Sequence, residues 1–148
     1  MAGGSHSPTP DRIQRIAEFR SALAAFLERT GAGARRHGLT PQRYLLLLMI
    51  KGAPDGTQRV NMGDLAARLR ISANTASELV SRAARAGLVV REGSESDRRV
   101  VELRLTDEGE RRLADALEAT DADRRLLGEA FRQLAETFER ATHGAERR

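Results

Sequence analysis

The sequence predicts a mainly α fold with a small β-wing, a winged helix-turn-helix (an α+β arrangement) with N- and C-terminal dimerisation helices. Three observations predict it. Two short, capped helical patterns are separated by about three residues, a pair of short strands follows at once, and apolar stripes with no sheet to cover lie at both ends of the chain.

Residues 1–10 are rich in Gly, Ser and Pro and lack an apolar middle, so they read as a disordered arm and not as a secretory signal. Residues 11–148 read as one domain, because a chain of 148 residues suits one core. Over residues 11–30, Ile13, Ile16, Leu23 and Leu27 recur at helical spacing, with Phe19 and Phe26 widening the stripe. The stretch GAGARRHG, residues 31–38, is expected to end that helix. Thr40 before Pro41 is an N-cap followed by proline at the first helical position, and the apolar block 44–50 runs to a stop at Gly52.

Residues 53–59 form a loop. Asn61 then caps a short helix with Leu65, Ala66 and Leu69 inward, and Ser72 caps the next, with Ala76, Leu79, Val80 and Ala83 inward and Gly87 at its end. Residues 88–91 and 99–105 read as strands, the second turning Val101, Leu103 and Leu105 inward. Thr106 caps a helix to about residue 120; after an acidic break at 121–123 the last helix carries Leu127, Phe131, Leu134 and Phe138. The winged region thus spans about 40–105, with flanking helices at about 11–36 and 106–142. Their seams, Ile13, Ile16 and Leu23 with Leu127, Phe131, Leu134 and Phe138, pack most economically against each other or against a second copy of the chain.

Net charge is +4, carried almost wholly by arginine, with residues 1–105 basic and residues 106–148 acidic. An anionic partner would therefore meet the first two thirds of the chain. The absence of cysteine excludes disulfides and thiolate metal sites and suits a cytoplasmic location; His6, His37 and His143 have no metal-ligand spacing. No apolar run nears the roughly 20 residues of a membrane span. No nucleophile stands by a paired base and no glycine-rich phosphate loop follows a strand, so neither an enzyme nor a cofactor is expected.

In the second capped helix, the inward residues leave Asn74, Ser77, Glu78, Ser81, Arg82 and Arg85 to project away, with Thr75 at the flank. These side chains suit base edges and phosphates: Arg forks to guanine, Asn to adenine, a carboxylate accepts from cytosine. The same face also suits an ordinary amphipathic surface helix. Ser72 at its start, and Arg70 and Arg59 beside the preceding helix, could hold phosphates or be solvated surface. At the wing tip, strand alternation would place Asp97 and Arg99 on one face, so that the carboxylate braces the guanidinium toward a narrow, negative groove. Arg98, on the opposite face, suits a phosphate or an intramolecular contact.

The order of these elements, with GLVVREGSESDRRVVELRLTDEG at residues 87–109, resembles the MarR (multiple antibiotic resistance regulator) family of transcription factors. The match lies in Asp97-Arg98-Arg99 followed by Leu105-Thr106 and Gly109, with Gly87-Leu88 upstream. The resemblance implies that Arg99, braced by Asp97, enters the minor groove of an operator, that residues 73–86 are the recognition helix, and that the first and last two helices build an obligate homodimer. It also implies a ligand pocket between the dimer-forming and DNA-binding regions, near the cationic cluster Arg35, Arg36 and His37 and near Tyr44. The expected effector is a small molecule such as an aromatic acid or its coenzyme A thioester. The sequence-based function is therefore a ligand-responsive repressor on a pseudo-palindromic operator. The other reading is a winged-helix protein-interaction or architectural DNA-binding module without effector response.

Overall fold

A computed structural model describes residues 8–145, with side chains described for residues 8–140. Most of the expected arm, together with His6 and the His143 side chain, lies outside the described residues. In chain order the elements are α1 (Pro10–Arg36), α2 (Pro41–Lys51), β1 (Val60–Asn61), α3 (Met62–Leu69), α4 (Ala73–Arg85), β2 (Val89–Gly93), β3 (Val101–Leu105), α5 (Asp107–Ala119) and α6 (Asp121–Ala145). The strands form one antiparallel sheet in the order β1-β3-β2. The chain divides into two compact units, one of residues 31–119 and one of the segments up to Thr30 and from Thr120.

The unit of residues 31–119 holds the helix-turn-helix, the wing and a core built from Leu39, Leu46, Leu47, Ile50, Leu65, Val80, Leu88 and Leu103. Its caps follow from the sequence. Thr40, Asn61 and Ser72 have extended backbones, and their side chains accept from the N–H groups of Arg43, Asp64 and Thr75, satisfying donors that a helix start leaves without partners. Thr106 does the same for Gly109 while its hydroxyl donates to the Gly87 carbonyl at 2.6 Å. Its N–H donates to the Leu88 carbonyl, and a Cβ at Gly109 would collide with that same oxygen.

The helix α1 runs through Gly31 and Gly33 to Arg36, within the stretch 31–38 expected to end it. Gly31 and Gly33 are buried. The stop comes at Gly38, with φ +73°, where the Gly38 and Leu39 N–H groups bond back to Arg35 and Ala34. Other expectations are corrected. Asp121 and Asp123 form the first turn of α6, where acidic residues suit the helix dipole, and do not break the chain. A third strand, β1, pairs Val60 with Leu103. Finally, Val101 is 52% exposed, because its cross-strand partner is Gly93, at the outer end of the hairpin.

The other unit consists of parts of α1 and α6. Phe19 and Phe131 stack at 6.0 Å, Arg12 lies 4.3 Å above the Phe138 ring, and Arg29 pairs with Asp123 at 2.9 Å. Ile13, Ile16, Leu27, Leu126, Phe131 and Phe138 nevertheless stay exposed. No helix among the described residues is long and apolar enough to cross a membrane.

Candidate nucleic-acid interface

In α4, the inward set Ala76, Leu79, Val80 and Ala83 is buried, as a 3.6-residue period requires. The opposite face is therefore fixed: Asn74, Ser77, Glu78, Ser81, Arg82 and Arg85 together line an open depression of about 520 Å³. At the start of α4, Ser72 Oγ accepts from Thr75 N and lies 2.8 Å from Thr75 Oγ1.

The turn before α4 is unusual. Arg70 has φ +56°, in the left-handed region, and the N–H groups of Arg70 and Ile71 bond back to Ala67 and Ala66. Its side chain is thereby set out on the surface at the entrance to α4. Arg59, by contrast, is half-buried and already paired, 3.3 Å from Glu92 and 3.9 Å from Glu102. Those two carboxylates face each other across the strands, and Arg59 offsets their repulsion. Arg104 adds a second cation, 2.6 Å from Glu92. The hydrogen bond from Arg104, with the charges of Arg104 and Arg59, lowers the Glu92 pKa below its ordinary value of 4.5, and the same bond raises that of Arg104.

At the wing tip, β3 begins at Val101, two residues later than expected, so Asp97 and Arg99 do not sit on a strand. They occupy a turn instead. The Val100 N–H donates to the Asp97 carbonyl, closing a four-residue turn with Arg98 and Arg99 at its centre, and the Ser94 N–H donates to the Val100 carbonyl beneath it. Asp97 Oδ1 accepts from the Arg99 N–H at 3.0 Å and lies 3.6 Å from Arg99 Nε. Brace and arginine are thus brought together by the habit of Asp at the first position of a turn, not by alternation. The Arg99 side chain is 94% exposed.

Arg91, missed in the sequence reading, joins wing to helix: its Nη2 donates to Ser81 Oγ at 3.0 Å. Arg85 Nε also reaches the Ser81 carbonyl, at 3.4 Å. The signal for Arg91 was its position two residues after Val89, which puts a cation on the same face as a core residue at the end of a strand.

The cluster expected near a ligand pocket is dispersed in burial. Arg35 and Arg36 are exposed in the last turn of α1, His37 is half-buried in the following turn, and Tyr44 is buried in the core. Among the described residues no group of His, Asp and Glu is arranged to hold a metal ion.

Residues 37–100 match a family model described as MarR family. Similar solved structures include AbsC of Streptomyces coelicolor, a MarR family regulator (21% identity, 97% of this chain and 100% of that one, TM-score 0.66). A MepR variant of S. aureus bound to an oligodeoxyribonucleotide is 18% identical, over 86% and 94% of the chains, with TM-score 0.60. CouR of Rhodococcus jostii RHA1, bound to p-coumaroyl-CoA, is 28% identical, over 70% and 71%, with TM-score 0.60. Among curated proteins, sequence comparison finds no match. The winged segment at residues 37–100 thus matches the MarR family model, and the chain shares its fold with solved MarR family regulators.

Proposed function

We propose that the chain is a DNA-binding transcriptional repressor that works as a homodimer on a pseudo-palindromic operator and responds to a small-molecule effector in the cytoplasm. The observation that carries this reading is the pairing of an exposed polar α4 face with a turn that thrusts Arg98 and Arg99 outward. In this reading α4 enters the major groove. Asn74, Thr75, Ser77 and Glu78 meet base edges, while Arg70, Ser72, Ser81, Arg82, Arg85, Arg91 and Arg98 are available to phosphates. Arg99, oriented by Asp97, enters the adjacent minor groove. A two-fold dimer sets two such helices roughly 34 Å apart, one turn of duplex. The exposed apolar residues of α1 and α6 support that dimer, since they would otherwise face water.

Repression follows from occlusion of a promoter, and an effector that binds the DNA-incompetent arrangement better releases it. The ligand of CouR supports an aromatic acid or its coenzyme A thioester as effector class. Arg35 and Arg36, which are exposed, with His37 and Tyr44 nearby in the chain, are the proposed acceptors of its acidic part. Calorimetric titration with p-coumarate and p-coumaroyl-CoA should give heat that Arg36→Ala reduces; no heat with either ligand removes the effector proposal.

The wing assignment has its own test. With a duplex selected from a random pool, Arg99→Ala should weaken binding by about 1 to 3 kcal/mol while sedimentation still gives a dimer. Unchanged affinity refutes it.

A further inference from the structure

Glu78 stands in the middle of the α4 face, exposed, with cations around it: Arg82 one turn on, Arg85 beyond, and Arg91 reaching in from β2. In the helices α5 and α6, a glutamate four residues before an arginine closes an ion pair. Glu108 and Arg112 meet at 2.7 Å, and Glu136 and Arg140 at 3.7 Å. Glu78 and Arg82 have the same spacing and the favoured order, yet among the described residues Glu78 makes no ion pair or hydrogen bond. A carboxylate held free on a surface that meets phosphates carries a cost. It repels the polyanion wherever the groove offers no donor to meet it.

The cost becomes selectivity where a base does offer one. In the major groove, cytosine presents its N4 amine and adenine its N6 amine, whereas guanine and thymine present oxygen acceptors at the equivalent edge. Resting on the DNA-binding reading above, we propose that Glu78 is a specificity residue that selects operator half-sites offering an exocyclic amine, and that it rejects guanine and thymine by repulsion. Asn74 lies one turn earlier on the same face, about 6 Å along the helix axis, so the two side chains address base pairs about two steps apart. The guanidinium groups of Arg82, Arg85 and Arg91 lie on the C-terminal side of this pair and are left to the phosphates. The carboxylate thus has two effects of opposite sign: it lowers affinity for arbitrary duplex and raises discrimination at one position of each half-site.

The test is selection from a random-sequence duplex library by the full-length wild type, Glu78→Ala and Glu78→Gln, followed by affinity measurements on the selected duplexes and on random duplex. Wild type should enrich cytosine or adenine at one position of each half-site, and which base it enriches identifies the amine. Glu78→Ala should lose that enrichment by at least about fivefold. Glu78→Gln, whose amide pairs well with adenine, should move the preference to adenine, and both variants should bind random duplex more tightly than wild type. Because Glu78 has no partner among the described residues, the thermal midpoints should match, and matching midpoints separate a lost base contact from a folding defect. If Glu78→Ala keeps the wild-type base preference at every position, the proposal is overturned while the DNA-binding reading stands. If wild type binds no duplex and enriches nothing, both are overturned together.

Discussion

Arg70 is the residue whose conformation says most about what the turn before α4 is for. The helices α1, α3 and α4 end alike: the N–H of the left-handed residue bonds three residues back and the next N–H five back. At α1 and α4 that residue is glycine, Gly38 and Gly87, both at φ +73°; at α3 it is Arg70, at φ +56°. A side chain there costs about 1 to 2 kcal/mol, which glycine would avoid. A guanidinium kept at this position needs a compensating use, and phosphate binding supplies one. Arg70→Gly should therefore raise stability by about 1 kcal/mol in chemical unfolding while weakening operator binding and flattening the dimer's salt slope by about two, one contact per protomer. A variant that gains stability and loses no affinity would leave Arg70 without a role in binding. The sequence reading placed Arg70 at the surface correctly but could not see the strain, since backbone sign is not written in side-chain type.

At the scale of elements, the most specific part of the family pattern proves to be a joint. Thr106 ties β3 and α5 to the Gly87–Leu88 segment through a hydroxyl bond to Gly87 and an N–H bond to Leu88, and Gly109 leaves room for the Leu88 carbonyl. Gly109→Ala should cost about 1 to 3 kcal/mol from that steric conflict, measured by thermal unfolding. The next turn of α5 carries a pH-dependent support. Hydrogen bonds from Arg111 and then Arg112 hold the Glu108 carboxyl at about 2, below its ordinary 4.5, and Arg112 also donates to the Gly38 carbonyl at 3.1 Å. A depressed carboxylate stabilises the fold above its ordinary pKa and loses that contribution as pH falls toward the folded value. Unfolding midpoints between pH 4.5 and about 2 should fall less steeply in Glu108→Gln than in wild type.

The caps at Thr40, Asn61, Ser72 and Thr106 were legible because a cap is a local bond between a side chain and an N–H two or three residues on. The strand β1 and the wing turn were not. The pairing of Val60 with Leu103 and the Ser94 to Val100 closure both depend on residues distant in sequence or on exact register. The Asp97–Arg99 brace was reached through strand alternation and is formed by a turn, so the right pair was chosen on the wrong geometry.

For the whole molecule, Ile13, Ile16 and Leu27 on α1 and Leu126, Phe131 and Phe138 on α6 stay exposed, and a second copy is their proposed occupant. Phe138→Asp or Leu134→Asp should shift sedimentation from dimer to monomer, because a charge would enter an apolar seam. A dimer that persists in both variants would put the interface elsewhere. The central claim, that the α4 face and the wing turn form a surface for duplex DNA, is tested most directly by affinity for a selected duplex across a range of salt concentrations. With at least five phosphates neutralised by the dimer, log K should fall against log salt with a slope of about −4.5 or steeper, at about −0.9 per phosphate, with selected duplex preferred over random duplex throughout. Weak binding that ignores both salt and sequence would contradict it.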